Sequence, residues 1–285
     1  MTLSGEIDTA SLRSLLQYHK KSKTDGLCIL GTTGEASLLS MEERKQVLDI
    51  AVEEVKGDIP LLVGTGAIDP VQVKEMTLQA MDCGCDASLV VTPPYIKPPQ
   101  RGLVKHFVTM AELGLPLVLY NVPGRTASDC LPETIAMCAK ESEMIVGVKE
   151  ATGDVGRIAR IQDALKAQGV EREILLYSGD DATEAEFVLK GGHGCISVTA
   201  NVAAKDMHEM MMACLEGREE DAMRINEKLE SLHTKIFCEA NPIPAKWAAH
   251  RLGMIDTPYC RPPLDILDAS YYPELEKALT RAGLM

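Results

Sequence analysis

The chain has 285 residues, of which 46% are hydrophobic and 25% are charged. This composition is typical of a globular protein and excludes disordered or collagen-like chains. The length fits either two domains of average size or a single α/β barrel of about 250 residues. The 42 acidic residues outnumber the 29 basic ones and give a formal charge of −13, which repels nucleic-acid phosphates and anionic lipid headgroups. We therefore expect neither nucleic acid nor a membrane as a partner.

No apolar run approaches the length of about 18 residues that a membrane-spanning helix needs. The first residues also lack the basic and apolar segments of a signal peptide, and we predict a cytoplasmic protein. Nine cysteines are scattered along the chain, mostly in apolar segments, and we predict that they are reduced thiols. Cys83 and Cys85 form a lone pair without a second Cys/His pair at ligand spacing, so we predict no metal site.

Short apolar runs, each closed by a turn-forming residue, alternate along the chain with longer charged segments of helical period. Each run is almost wholly apolar, as expected of parallel strands that are covered on both faces. A helix is predicted first, over 8–19. The seven predicted strands then span 26–31, 60–64, 87–92, 115–120, 145–149, 174–178 and 194–198.

Local signals between the predicted strands agree with this order of elements. Ser40 and Glu43 form a predicted capping box at the start of a helix, and the Gly-Gly-His-Gly segment at 191–194 is predicted as a tight turn into the last strand. Beyond that strand the pattern is helical. The repeated βα units predict an α/β protein with a (β/α)8 TIM barrel over residues 1–203 and a C-terminal helical annex packed on the barrel over residues 204–285.

Seven strands are one short of a closed barrel, and the missing strand is expected to come first because a helical segment opens the chain. Residues 1–7 contain only Leu3 and Ile7 as bulky apolar residues, which does not predict a buried strand. We therefore expect the first strand of the barrel to be missing from this chain. We hypothesise that a short segment precedes residue 1 in the complete protein.

Lys149 ends the fifth predicted strand, at the rim where parallel barrels keep their active sites. Burial at this rim favours the neutral amine, which is the nucleophile for Schiff-base chemistry on a carbonyl substrate. An ion pair between Lys149 and the neighbouring Glu150 is the alternative interpretation. Periodicity does not decide between the two.

Tyr120 ends the preceding predicted strand, and Arg125 follows it in a Pro-Gly turn. A phenol can transfer protons, and a guanidinium can bind a carboxylate through two hydrogen bonds. The Gly-Thr-Thr-Gly-Glu loop at 31–35 offers hydroxyl and backbone N–H groups that suit a carboxylate. Singly, these features are also explained by a packed aromatic residue, a solvated charge and an ordinary turn. Their common position at strand ends indicates an active site.

Seven motifs stand in order along the chain: GTTGE at 31–35, VTPPY at 91–95, YNVPGRT at 120–126, GVKEATG at 147–153, SGDD at 178–181, GCISV at 194–198 and NPIP at 241–244. On the basis of these motifs, essentially the whole chain resembles the dihydrodipicolinate synthases (4-hydroxy-tetrahydrodipicolinate synthases) of the N-acetylneuraminate lyase family, which are pyruvate-dependent class I aldolases. The resemblance implies a (β/α)8 barrel with a C-terminal helical annex. It also implies a homotetramer made of two tight dimers.

The resemblance implies catalytic roles for four residues. Lys149 would form an imine with pyruvate, and Tyr120 would transfer protons during imine formation and ring closure. Thr32 would relay protons between Tyr120 and Tyr95, and Tyr95 would reach in from the neighbouring subunit.

Four further residues are implied in substrate binding. Thr33 would bind the pyruvate carboxylate, and Gly31 belongs to the same loop. The backbone of Ile196 would lie near the imine carbon. Arg125 matches the position that binds the carboxylate of L-aspartate 4-semialdehyde.

The implied reaction is the condensation of pyruvate with L-aspartate 4-semialdehyde in lysine (diaminopimelate) biosynthesis, without cofactor or metal. The chain contains neither a dinucleotide-binding nor a P-loop motif. One alternative is another pyruvate-dependent lyase of the family that acts on a sugar acid, against which the Arg125 motif argues. The other is a non-catalytic relic barrel, which the missing strand favours.

Bacterial members of this family have a lysine-binding regulatory site that contains two histidines and a tyrosine. The chain has Met41, Arg44 and Pro94 at the matching places, and Ile68 where an amide is usual. A lysine ammonium would meet apolar groups and a like charge there. We therefore predict weak or no inhibition by lysine.

Overall fold

The computed structural model describes all 285 residues. Its seven strands are β1 (Leu27–Ile29), β2 (Leu61–Gly64), β3 (Ala87–Val91), β4 (Leu117–Asn121), β5 (Ile145–Glu150), β6 (Leu175–Ser178) and β7 (Gly194–Cys195). Its twelve α-helices are α1 (Thr9–Lys21), α2 (Met41–Val55), α3 (Pro70–Cys83), α4 (Gln100–Ala111), α5 (Pro123–Thr126), α6 (Pro132–Glu141), α7 (Arg157–Ala167), α8 (Glu184–Leu189), α9 (Ala200–Leu215), α10 (Glu219–Lys235), α11 (Ile243–Arg251) and α12 (Tyr272–Arg281). None of these helices has the length and apolar character needed to span a bilayer.

The chain folds as two compact units. The sheet unit is Leu61–Ile196, and the terminal unit combines Met1–Pro60 with Ser197–Met285. The division into a barrel over residues 1–203 and an annex over 204–285 stays a prediction.

The sheet unit contains strands β2 to β7, and each strand pairs in parallel with the next one along the chain. Both faces of the central strands are buried, since consecutive residues are at most 5% exposed: Leu89 and Val90 of β3, and Leu117, Val118 and Leu119 of β4. This burial explains why the sequence shows continuous apolar runs rather than alternation. The predicted parallel βα units are confirmed.

The last strand is shorter than predicted. Of the segment 194–198, only the first two residues belong to β7. Beyond them, Ser197 Oγ accepts a hydrogen bond from the Ala200 N–H (3.0 Å), and the Val198 carbonyl accepts one from the Asn201 N–H (3.1 Å). These bonds turn the chain into α9 slightly before the predicted start of the helical tail.

The predicted tight turn before β7 is confirmed, and it needs its glycines. Gly191 and Gly194 have φ values of +101° and +146°, which residues with a Cβ rarely adopt. Gly192 packs against Phe187, and a Cβ there would lie 2.4 Å from the Phe187 ring and 2.9 Å from its carbonyl oxygen. The glycines therefore serve backbone geometry and close packing.

The terminal unit begins with α1, and no strand precedes this helix. Leu3 is 79% exposed, in agreement with the expectation that the first residues form no buried strand. Asp8 caps α1 by accepting a hydrogen bond from the Ser11 N–H (2.9 Å). The predicted capping box of α2 is confirmed, because the side chains of Ser40 and Glu43 each accept a hydrogen bond from the other residue's N–H.

The sequence predicts a helical tail whose helical pairs are separated at the Asn-Pro-Ile-Pro segment 241–244, and the structure has a further long interruption after α11. The segment between α11 and α12 is irregular, and Pro262 and Pro263 within it lack the N–H groups that a helix requires. Arg261 fixes the segment in place. Its guanidinium donates hydrogen bonds to the Gly5 carbonyl and to the Glu43 carboxylate at the start of α2.

None of the nine cysteines is joined in a disulfide bond. Five of them are buried: Cys85, Cys130, Cys138, Cys214 and Cys260. Burial raises the pKa of Cys138 to about 12, so this thiol is protonated at neutral pH. The pair Cys83 and Cys85 flanks Gly84, whose φ of +82° ends α3, and the motif is accounted for as a helix C-cap.

We expect Gly192→Ala to lower the free energy of unfolding by about 1–3 kcal/mol, because the added methyl group overpacks against the Phe187 ring and backbone. Urea unfolding followed by circular dichroism measures the change. Gly102→Ala in α4 is the matched control, since a Cβ there meets Pro99 only at 3.4 Å and an alanine suits a helix. Equal unfolding midpoints for Gly192→Ala and the unaltered protein would contradict this account of the turn.

Candidate functional site

Lys149 lies at the carboxyl end of β5, and only 9% of the residue is exposed. Its register partners are Tyr120 on β4 and Tyr177 on β6. The Lys149 Nζ atom is 4.5 Å from the centroid of the Tyr120 ring, within the range of a cation–π interaction. The structure therefore brings together the predicted nucleophile and the predicted proton-transfer group.

Gly179 makes room for the Lys149 side chain. It follows β6 directly, and its N–H donates a hydrogen bond to the Glu150 carbonyl (2.8 Å). A Cβ on this glycine would lie 2.6 Å from Lys149 Cε and 2.8 Å from the Ala151 Cβ, which is closer than van der Waals contact allows. In the sequence Gly179 stands out only as part of the SGDD motif, although a glycine next to a strand is a general signal of close approach.

A buried acidic residue that sequence reasoning missed, Glu184, lies within electrostatic range of Lys149. Glu184 begins α8, is 1% exposed, and its carboxyl group forms a hydrogen bond with the Cys195 thiol. Burial, followed by the nearby Asp181 carboxylate, raises the pKa of Glu184 well above its usual value, and Lys149 opposes the shift only in part. These effects favour the protonated carboxyl group. No sequence signal distinguishes Glu184 from the exposed Glu186 of the same helix.

Tyr95 and Arg125 lie on two loops that are tied together within the sheet unit. The Tyr95 N–H donates to the Thr126 carbonyl (3.1 Å), and the Thr92 hydroxyl donates to the Thr126 hydroxyl (3.0 Å). Tyr95 is 84% exposed and has a φ of +73°, which is uncommon for a residue with a side chain. Arg125 is exposed in the short helix α5. Both side chains are thus available to a ligand or to another chain.

Ile196 follows β7 at the same edge of the sheet as Lys149. Its N–H donates a hydrogen bond to the Ser178 carbonyl at the end of β6 (2.8 Å). Ser178 is in turn the register partner of Glu150 on β5. The backbone of Ile196 is therefore two strands away from the lysine along the carboxyl edge.

The predicted carboxylate-binding loop lies in the terminal unit, shortly after β1. Gly31 leads into a 3-10 turn over Thr32–Gly34, in which Thr32 is exposed and Thr33 is half-buried. The Thr33 hydroxyl accepts a hydrogen bond from Asn241 Nδ2 (2.9 Å). The NPIP motif thus holds the loop through a long-range contact that its sequence does not reveal.

Glu35 anchors the other end of this loop. It is 4% exposed, has a φ of +54°, and forms an ion pair with Lys246. Its second carboxylate oxygen accepts a hydrogen bond from the Arg261 N–H (2.8 Å). Sequence reasoning missed both partners, because α11 and the segment after it lie about two hundred residues away along the chain. The loop is held from within its own unit.

Comparison with known proteins gives consistent matches over the whole chain. The sequence model of the Dihydrodipicolinate synthetase family matches residues 1–282. A Coxiella burnetii protein named 4-hydroxy-tetrahydrodipicolinate synthase is 44% identical over 285 residues, covering 100% of this chain and 95% of the relative. A Methylococcus capsulatus protein of the same name is 45% identical over 286 residues, covering 100% of this chain and 96% of the relative.

The fold has an equally close counterpart among solved structures. The crystal structure of the chloride-inhibited dihydrodipicolinate synthase from Acinetobacter baumannii, complexed with pyruvate, matches with a TM-score of 0.95. The two sequences are 44% identical, and the match covers 100% of this chain and 96% of that chain. The predicted fold class, an α/β TIM-barrel fold with C-terminal helices, is confirmed. Matched over its whole length in sequence and in fold, the chain belongs to the dihydrodipicolinate synthetase family.

Proposed function

We propose that this protein condenses pyruvate with L-aspartate 4-semialdehyde, the reaction of 4-hydroxy-tetrahydrodipicolinate synthases in lysine (diaminopimelate) biosynthesis. One observation carries the proposal: Lys149 is buried at the carboxyl end of β5 with its Nζ 4.5 Å from the centroid of the Tyr120 ring. A lysine amine in such a pocket is the nucleophile that forms Schiff bases with carbonyl compounds. Membership of the family supports pyruvate as that compound.

The proposed reaction begins when the neutral amine of Lys149 attacks the ketone carbon of pyruvate, and water leaves as the imine forms. Loss of a proton from the methyl group gives an enamine, whose carbon attacks the aldehyde of L-aspartate 4-semialdehyde. The amino group of that substrate then attacks the imine carbon. This last step closes the ring and frees Lys149, so the lysine is regenerated without an external oxidant or reductant.

Tyr120 is proposed to transfer the protons of these steps, since its ring lies against the Lys149 amine. Arg125 is proposed to bind the aldehyde's carboxylate through the two N–H groups of its guanidinium edge, and its exposure in α5 leaves it free to do so. The Ile196 backbone is proposed to lie near the imine carbon. Its position at the carboxyl edge of β7 supports this role.

The proposed roles of the terminal-unit loop rest on the family resemblance. Thr33, with Gly31 beside it, would bind the pyruvate carboxylate, and Thr32 would relay protons between Tyr120 and Tyr95. The anchoring of the loop by its own unit supports a binding role, because preorganised donors lose little entropy when a ligand binds.

We further propose a cytoplasmic homotetramer built from two tight dimers. The 84% exposure of Tyr95 supports an assembly, because this tyrosine would act in the neighbouring subunit. A large aromatic side chain that is otherwise left in water gains from burial against a second copy of the chain.

We expect pyruvate followed by borohydride to add a pyruvate-derived mass to the peptide that contains Lys149, because reduction traps the imine as a stable amine. Peptide mass spectrometry measures the adduct. Lys149→Arg is expected to abolish it, whereas Lys166→Arg, on the exposed side of α7, is expected to leave it unchanged. A folded protein without any adduct would point to the non-catalytic relic instead.

We expect Arg125→Ala to raise the KM for L-aspartate 4-semialdehyde about tenfold to a hundredfold, since hydrogen bonds to a charged group contribute about 1.5–3 kcal/mol. Steady-state kinetics measures this change, and the yield of the pyruvate adduct should stay the same. Arg101→Ala, at an exposed position of α4, is the control. If the protein instead cleaves a sugar acid and ignores the semialdehyde, the lyase alternative replaces this proposal.

We expect lysine to inhibit the enzyme weakly or not at all. Arg44 is 2% exposed on α2 and its burial lowers its pKa only to about 10, so it is charged at neutral pH and repels an ammonium ligand. Ile68 is 46% exposed and offers no amide. Activity assays across a lysine series test this, with the double variant Met41→His/Arg44→His as the comparison. Strong inhibition of the unaltered protein by submillimolar lysine would contradict the prediction.

A further inference from the structure

The residues that follow Tyr120 and Lys149 form a second pair behind the site. Asn121 on β4 and Glu150 on β5 are register partners, as Tyr120 and Lys149 are. Asn121 is 0% exposed and Glu150 is 2% exposed. Successive side chains of a strand point to opposite faces of the sheet, so this second pair faces away from the amine and the phenol.

Arg157, the first residue of α7, donates hydrogen bonds from all three of its guanidinium nitrogens, and one of these bonds reaches Glu150 of the second pair. Its Nε donates to Glu150 Oε2 (2.9 Å), its Nη1 donates to Asp129 Oδ2 (3.0 Å), and its Nη2 donates to the Cys130 carbonyl (2.7 Å). The residue is only 6% exposed. Arg157 therefore ties the end of β5 to the loop that follows α5.

Asn121 closes the network on the side of β4. Its Nδ2 donates to Asp129 Oδ1 (2.9 Å) and lies 3.2 and 3.3 Å from the two Glu150 oxygens, and its Oδ1 accepts from the Cys130 N–H (2.9 Å). We call the set Asn121, Asp129, Cys130, Glu150 and Arg157 the arginine clamp.

Stability alone is a poor explanation for the arginine clamp. The shifts of the two partners oppose each other, because burial raises the pKa of Glu150 although Arg157 opposes it, whereas the Glu150 and Asp129 carboxylates raise the pKa of Arg157 against its burial. Buried ion pairs often stabilise a fold no better than apolar residues of similar volume. A guanidinium with several hydrogen bonds does fix the relative positions of its partners, because its donors are held in a rigid plane.

We propose that Arg157 is a positioning residue that, through Glu150 and Asn121, fixes the ends of β5 and β4 and so holds the Lys149 amine against the Tyr120 ring. The inference rests on the proposed function, in which the Lys149 amine and the Tyr120 phenol are the reacting groups. Asn121 and Glu150 lie on the face of the sheet opposite the reacting groups. The clamp acts on the reacting groups through the backbone, because Glu150 follows Lys149 directly in β5 and Asn121 follows Tyr120 directly in β4.

The test compares two arginines that hold opposite ends of β5. Arg172 donates hydrogen bonds to the carbonyls of Ala139, Ser142 and Ile145, and Ile145 begins β5, far along the strand from Lys149. Arg157→Met and Arg172→Met therefore each remove three hydrogen bonds, one of them to β5, and Arg157→Met also removes the ion pairs with Asp129 and Glu150.

We expect Arg157→Met to slow formation of the borohydride-trapped pyruvate adduct on Lys149 by about tenfold to a hundredfold, as misplacements of about 1 Å do in active sites. Arg172→Met should stay within about twofold of the unaltered protein, because it leaves the reacting groups in place. The pyruvate KM should change little in both variants, so that the loss falls on kcat. Equal slowing by both variants, or a KM effect alone, would overturn the proposal.

Glu150→Gln is a second variant, which tests the proposal even if Arg157→Met does not fold. The Glu150 carboxylate accepts hydrogen bonds from three nitrogen donors, Asn121 Nδ2, the Thr152 N–H and Arg157 Nε. A glutamine has the same shape but turns one acceptor into a donor, so it disrupts the clamp without leaving a cavity. We expect the same loss of adduct rate, and an unchanged rate in the folded variant would overturn the proposal.

Crystal structures of the same variants separate this proposal from the proposed function. If the unaltered protein forms no adduct, the proposed function fails, and the clamp is judged on the position of the Lys149 Nζ atom alone. Arg157→Met should move this atom from the Tyr120 ring by about 1 Å or more, and Arg172→Met should leave it in place. An unmoved Nζ in Arg157→Met would overturn the clamp whatever the protein catalyses.

Discussion

The burial of the Lys149 amine at the end of a parallel strand constrains everything around it. A charge withdrawn from water loses several kcal/mol of hydration unless other groups compensate. In the sheet unit the face of the Tyr120 ring, 4.5 Å from the amine, provides this compensation. Gly179 supplies the space in which the lysine stem lies. The chemistry of the site depends on keeping this nitrogen in one place.

Side chains alternate between the two faces of a strand, so neighbouring residues of β4 and β5 can place reacting groups on one face and supporting groups on the other. Tyr120 and Lys149 face one side of β4 and β5, and Asn121 and Glu150 face the other. Because the strands are in register, the support on the back is aligned with the reacting groups on the front. Arg157 bonds directly to Glu150 and reaches Asn121 through Asp129, with a rigid donor geometry that a flexible lysine could not reproduce. The position of α7 thus fixes the position of the Lys149 amine, because Arg157 holds the end of β5.

The sequence predicts those parts of this arrangement that depend on local pattern. The strand segments follow from apolar runs, and Lys149 and Tyr120 follow from their places at the ends of those runs. It does not predict Arg157, since only the fold brings α7 to the loop after α5. It does not distinguish the buried Glu184 from the exposed Glu186, because a six-residue helix has too little periodicity. It also overestimates β7 and the helical tail, where side-chain hydrogen bonds and prolines override propensity.

A crystal structure of the protein grown with pyruvate and reduced in the crystal would show whether Lys149 forms the imine. We expect continuous electron density from Lys149 Nζ to the former ketone carbon of pyruvate, with the Tyr120 side chain beside the new bond. Pyruvate bound without a covalent bond to Lys149, or bound covalently to a different lysine, would contradict it.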